Sequence, residues 1–312
     1  MSVLSNPRGG VINRYRQLGQ KIRGGIKRRW SVLIHPLYCP VCGSGVEAFK
    51  PMPLKYTENF NQHGFIYRFD GGETCNKSAY ECPVCRASDR DRLYALYLMN
   101  YFDRMAPGRR AIRILDIAPS DALSDFIRKQ IKKNRLLCEY RTVDLVREDV
   151  DDRVDIMNMA GYPDASFDFF LCSHVLEHVP DDKKAMRELL RVMRPGGEGI
   201  LMVPIALTAD RIDEDPSVVD PGERWRRFGQ DDHVRLYSKH GFIERVKEAG
   251  FSLREFGVRD FGKKSFQSSG IELKSILYVV NKNHPTSDAS ALNSYSLSTM
   301  TKPATPGSKA GK

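Results

Sequence analysis

No run of about 18 apolar residues occurs in the 312-residue chain, so no segment reads as a membrane-crossing helix. The N-terminus lacks the apolar core of a secretory signal, and a cytoplasmic protein is expected. Acidic residues are missing from residues 1–30, which hold eight Lys or Arg and supply most of the net charge of +10. The remainder is close to neutral, so the pI near 9.2 belongs to an arm and not to a body shaped for nucleic acid. Residues 283–312 have little apolar mass and are expected to be disordered. Internal repeats are absent. Cysteine is sparse, at seven residues, and in a reducing compartment these point to metal ligation and not to disulfides.

What is present is a globular composition, 41% hydrophobic and 28% charged. Four regions follow along the chain. In residues 1–35, Val11, Tyr15, Leu18, Ile22, Ile26 and Trp30 recur three or four apart among Arg and Lys. That is a basic amphipathic pattern able to lie on an anionic membrane from the cytoplasmic side, or to pack on its own protein. Residues 36–105 comprise a Cys-, Pro- and aromatic-rich stretch poor in helical periodicity, then a helix over 89–103 through Leu93, Leu96, Tyr97 and Tyr101. Over 106–282 strands are expected at 111–117, 139–144, 167–172, 198–204, 252–258 and 273–281. Helices are expected at 121–133, 181–193 and 239–249. Such alternation implies an α/β fold with a Rossmann-like, doubly wound, mostly parallel sheet, its ligand beyond the carboxyl ends of the strands. Residues 283–312 form the tail.

CPVC occurs twice, as Cys39–Cys42 and Cys82–Cys85. A CxxC knuckle turns two sulfurs toward one point, and two knuckles make a tetrahedral cage for zinc. The 39 residues between the knuckles exceed the usual ribbon spacing, and Cys75 and His63 are spare ligands. A redox dithiol needs only one such pair. Four thiolates leave no open position, so the expected zinc is structural.

The segment ILDIAPSDALS places Asp116 at a strand end, then Ala118, Ser120 and Ala122 where a nucleotide loop normally has glycine. S-adenosylmethionine needs a carboxylate after the second strand for its ribose, and Asp144 stands there. It needs a polar residue and a backbone N–H after the third strand for its adenine, and Asp155-Ile156 stand there. A nicotinamide dinucleotide makes the same demand on the acid but also needs a glycine-rich pyrophosphate cradle. The loop with Pro119 and no glycine suits the phosphate-free cofactor better. A decayed loop on a non-catalytic scaffold is the competing reading.

SFDFFLCSHVLEHVPDDKKAMRELLRVMRPGGEGILMVP, residues 166–204, resembles the fourth strand, following helix and fifth strand of class I methyltransferases of the type 11 group. DIAPSDALS, CPVCRASDRDRLYALYL and PGERWRRFGQDDHVRLYS resemble segments of a subgroup that carries an N-terminal zinc ribbon. Ser120 stands where that subgroup commonly has Glu. The resemblance implies methyl transfer from S-adenosylmethionine, with Ser173 and His174 facing the methyl-donor crevice.

Two histidines are candidate general bases: His174, and His233 in the insertion after the fifth strand with Asp231 or Asp232 able to orient its ring. His178 lies four residues after His174, so the two imidazoles are expected to share a helical face. His233 and Arg235 are expected to bind the acceptor or close a lid, and Glu148–Asp152 is expected to be a solvated loop. The expected acceptor is a small molecule or glycan, such as a surface-polysaccharide precursor, methylated on oxygen. RNA is the second acceptor class, disfavoured by the missing NPPY-like motif and basic stripe. A non-catalytic zinc-ribbon adaptor is the third reading.

Overall fold

A computed structural model describes residues 36–68, 72–105 and 111–283. The expectations for residues 1–35, the 106–110 linker and residues 284–312 of the tail lie outside the described residues. Among the described residues no helix is long and apolar enough to cross a membrane.

The cysteine-rich part opens with a hairpin of β1 (Leu37–Cys39) and β2 (Ser44–Val46), followed by helix α1 (Leu54–His63). This helix corrects the expectation of a helix-poor stretch, and it buries no residue fully. Its stripe therefore carries no strong apolar period, and what holds it is aromatic contact with a later segment. Phe60 meets Trp225 edge-on at 5.7 Å, and the His63 ring stacks on the same indole at 6.2 Å. Helix α2 (Asp89–Arg104) starts on Ser88, whose hydroxyl accepts the Asp91 amide while Asp91 accepts the Ser88 amide. Its apolar face buries Leu93, Tyr97 and Tyr101, but Leu96 is only half-buried.

The sheet runs β10-β11-β7-β6-β3-β4-β5. Its strands are β3 (Ile112–Ile117), β4 (Cys138–Asp144), β5 (Asp152–Arg153), β6 (Phe167–Ser173), β7 (Met193–Met202), β10 (Ser252–Phe256) and β11 (Leu277–Asn281). β3, β4, β5, β6 and β7 pair in parallel, and β11 is inserted antiparallel between β7 and β10. The expected mostly parallel, doubly wound sheet is present. β3 is flanked by β4 on one side and β6 on the other, so strand order reverses around it and a crevice opens at its carboxyl end. β7 begins earlier than expected, at Met193, and β11 later, at Leu277.

Helices α3 (Asp121–Lys133) and α4 (Asp182–Val192) cover the sheet with residues spaced three and four apart: Leu123, Phe126 and Ile127 in one, Ala185, Met186 and Leu189 in the other. A short ribbon, β8 (Asp213–Glu214) with β9 (Arg235–Leu236), frames helix α5 (Pro221–Phe228), and α6 (Lys239–Glu248) leads into β10. Helices α7 (Val258–Phe261) and α8 (Lys263–Ser268) separate β10 from β11.

The cysteine-rich part and the sheet share one contiguous core, running from Cys39 and Phe49 to Val279 and Val280. Arg92 sits at their junction, fully buried. Its guanidinium donates to the Ala79 and Ala87 carbonyls of the cysteine-rich part, and its Nε to the Ser269 carbonyl at 2.6 Å. Phe49 packs under the cation at 3.9 Å. Arg92→Ala would leave several buried carbonyls without donors and should cost about 3 kcal/mol in stability by denaturant titration. Arg92→Lys should recover little of it, because one ammonium cannot span both parts.

Candidate active site

The two knuckles converge. Gly43 (φ 72°) and Arg86 (φ 64°) follow the second cysteine of each pair in the left-handed conformation. Their amides bond back to the Cys39 and Cys82 carbonyls at 2.8 and 2.9 Å. Cys39 and Cys85 sulfurs lie 3.8 Å apart, and those of Cys42 and Cys82 4.0 Å apart. A tetrahedron with Zn–S bonds of about 2.3 Å needs sulfurs about 3.8 Å apart. Cys75 and His63 stand outside this four-sulfur group.

The expected cofactor residues gather at the carboxyl ends of four neighbouring strands. Asp116 lies near the end of β3, Asp144 ends β4, Asp155 and Ile156 follow β5, and Ser173 ends β6. Ala118 takes φ 51°, the left-handed region where glycine is usual, so the loop keeps a glycine-like backbone with a methyl side chain. Asp116 is fully buried; its Oδ2 accepts from the Tyr140 and Ser124 hydroxyls, and its Oδ1 has no partner among the described residues. Burial pushes its carboxyl up to about 7 against the pull of those two hydroxyls. Asp144 Oδ1 accepts the Val146 and Arg147 amides at 2.8 and 2.9 Å. Asp155 accepts the Met157 amide, and Ile156 is buried. Ser120 lies 3.3 Å from Asp91, and Ser173 shares a 2.7 Å hydrogen bond with the Tyr94 hydroxyl of α2. Sequence reasoning did not foresee Arg147, which reaches from the β4 loop to the Pro119 carbonyl at 2.7 Å and closes over the first loop.

The Glu148–Asp152 run is not simply solvated. Asp151 accepts from the Thr142 amide and hydroxyl, each at 2.8 Å, and Asp152 takes Arg141 at 2.7 Å.

A cavity of about 180 Å³ lies beyond β6 and β7. Tyr56, Phe60 and Phe65 line it together with His174, Phe228 and His233. Both expected catalytic histidines thus face one space. His174 has φ 57° and is followed by turns, so it does not share a helical face with His178. Arg90 donates to His174 Nε2 at 2.8 Å. A guanidinium only donates, so Nε2 is the acceptor and Nδ1 carries the hydrogen, 3.2 Å from Glu177 Oε1. Burial and the Arg90 charge hold His174 down at about 4, neutral at pH 7.

His233 is oriented differently from the expectation. Its Nδ1 lies 3.0 Å from the Phe228 carbonyl, and Asp232 pairs instead with His178 Nδ1 at 3.3 Å. Because a carbonyl only accepts, His233 Nε2 is left as a bare lone pair, buried and without a partner among the described residues. Arg235 is likewise no acceptor ligand. It is 1% exposed and its guanidinium is spent on the Leu176, Val179 and Pro180 carbonyls. Arg90 and the burial of Glu177 were missed, since neither position carries a local signal of its contacts.

Residues 99–201 match a family model described as a methyltransferase domain. Over 115 residues the chain is 40% identical to 27-O-demethylrifamycin SV methyltransferase of Amycolatopsis mediterranei (strain S699). That match covers 33% of this chain and only 38% of the relative's length. Among solved structures, the CurJ carbon methyltransferase is 15% identical with a TM-score of 0.41, over 62% of this chain and 58% of the other. The citrinin polyketide synthase CMeT domain is 14% identical with a TM-score of 0.43, over 67% and 55%.

Arg90→Met should raise the His174 pKa above about 4, toward but not reaching the usual 6.5, because burial remains when the like charge is gone. Ring-proton NMR across pH 3–8 reads this directly, and an unchanged titration would leave burial as the sole cause.

Proposed function

We propose, with the methyltransferase domain of residues 99–201 as the premise, that the chain moves a methyl group from S-adenosylmethionine to a hydroxyl of a small-molecule or glycan acceptor. Asp116 is the observation that carries the cofactor assignment: a buried carboxylate at the switch point with one bare oxygen fits the ammonium of the methionine end. Ala118, Ser120 and Ser173 would border that end, Asp144 would take the ribose diol, and Asp155 with the Ile156 backbone would take the adenine. The absence of glycine is tolerable because Ala118 already adopts the left-handed turn, and no pyrophosphate has to approach the backbone. When bound, S-adenosylmethionine supplies an activated methyl carbon.

The acceptor would sit in the aromatic cavity beyond β6 and β7. Tyr56, Phe60 and Phe65 suit the apolar face of a ring or sugar, and Arg90 gives the cavity a fixed positive wall. Holding the acceptor oxygen in line with the methyl carbon is most of what such a reaction asks. His233 Nε2 is the free lone pair placed to receive the hydroxyl proton, and burial keeps that ring neutral and able to accept it. His174, held by Arg90 on one nitrogen, would orient the acceptor. An oxygen acceptor is also the atom in the name of the Amycolatopsis relative. We further assign a structural Zn²⁺ to Cys39, Cys42, Cys82 and Cys85, whose four sulfurs close around one point.

Calorimetric titration of S-adenosylmethionine tests the cofactor half. Binding needs ionised Asp116, so affinity should be full above pH 7 and fall by up to tenfold per unit below it. Asp116→Asn should bind more weakly and flatten that profile; a wild-type affinity independent of pH from 5 to 8 would remove Asp116 from the site. Cys82→Ser should lose zinc by metal analysis and lower the melting temperature, while unchanged zinc content would refute that ligand set.

A further inference from the structure

We propose that Glu177, His178 and His233 form a second metal site, distinct from the four cysteines, for a divalent first-row transition ion. One ligand atom from each of the three already lies within 4.8 Å of the others. A tetrahedral ion bound about 2.0–2.2 Å from each nitrogen and oxygen needs donors about 3.3–3.6 Å apart, so the three side chains would draw together by up to about 1.5 Å on binding it.

The donor chemistry is set by what the other atoms of these side chains touch. His233 presents Nε2 because Nδ1 is given to the Phe228 carbonyl. His178 has Nδ1 at 3.3 Å from the Asp232 carboxylate, which leaves Nε2 as its lone pair, 3.9 Å from Glu177 Oε1. The two rings meet edge to face with centroids 4.7 Å apart. An oxygen partner on the far nitrogen of each imidazole is the arrangement that fixes and strengthens histidine ligands in metal sites.

Glu177 supplies the reason a cation belongs there. It is 0% exposed, and neither carboxylate oxygen receives a hydrogen bond among the described residues. His174 Nδ1, which carries the ring hydrogen, stands 3.2 Å from Oε1. A carboxylate enclosed in this way is costly as an anion unless a cation joins it. Two imidazoles and one carboxylate suit Zn²⁺ or Fe²⁺, and not the oxygen-seeking Mg²⁺ or Ca²⁺.

Three protein ligands leave an open position, and His233 lines the acceptor cavity. With the ion bound, His233 Nε2 becomes a ligand. It then no longer takes the acceptor's proton; an acceptor hydroxyl at the open position would bind the ion and pass its proton to solvent, a consequence that rests on the methyl-transfer reading.

The test counts metal and does not depend on turnover. Purified full-length chain is incubated with excess Zn²⁺, desalted and analysed by plasma emission, beside the His178→Ala/His233→Ala double variant and Glu177→Gln. Wild type should hold one more zinc per chain than either variant, while all three retain the same cysteine-bound ion. Circular dichroism checks folding, and Glu177→Gln, nearly isosteric, covers a failure of the double variant to fold. Equal zinc in wild type and the folded variants overturns the site. S-adenosylmethionine titration on the same samples reports separately on the methyl-transfer reading.

Discussion

Arg92 is the contact on which the arrangement of the molecule depends. A guanidinium at zero exposure must place its donors on acceptors, and here those acceptors come from two distant stretches of chain. Ala79 and Ala87 belong to the cysteine-rich part, and Ser269 precedes the antiparallel strand β11. Holding these together seats α2 on the sheet and brings α1 against α5. The aromatic side of the acceptor cavity is a product of that seating, because Tyr56 and Phe60 lie on α1. The cysteine cage itself stands beside the first loop, where Cys42 and Cys85 line a depression together with Pro119 and Ala122.

Arg235 plays the matching part on the opposite wall. Its donors satisfy the carbonyls of Leu176, Val179 and Pro180, the first of which has no helical donor because Pro180 lacks an N–H. The segment after β6 turns, and Glu177 points into the protein between three imidazoles. Arg235 is itself balanced by Glu214 at 3.2 Å, which also takes Arg245 at 2.7 Å. A run that reads as the start of a helix is thus bent into a pocket wall.

Two buried carboxylates at neighbouring strand ends are driven in opposite directions. Asp116, with hydroxyl partners and no cation, is raised to about 7; Glu177, with imidazoles around it, is lowered to about 2. Such separation of like groups by environment is a usual mark of a site in which each has a different task. Asp116 lies on the side proposed for the cofactor and Glu177 near the cavity proposed for the acceptor, so the division of charge follows the division of the proposed substrates.

Much of this was legible in the residues alone. The 3.6-residue period of Leu123, Phe126 and Ile127 and the apolar runs ILDI and FFLC are local properties, and they settle where helices and parallel strands lie. The doubled CPVC is equally local, because a knuckle forms from four consecutive residues. Asp116, Ala118, Asp144 and Asp155 follow once strand order is known, since each sits at a strand's carboxyl end. The remainder was decided by contacts far apart in sequence. Helix α1 carries no buried residue to reveal it; the turn after His174 is held by an arginine some 60 residues later, and His233 takes its tautomer from Phe228 and not from the adjacent aspartates. Periodicity records which face of an element is apolar, but a buried polar side chain is oriented by whichever donor or acceptor the fold brings to it, and only tertiary structure selects that partner.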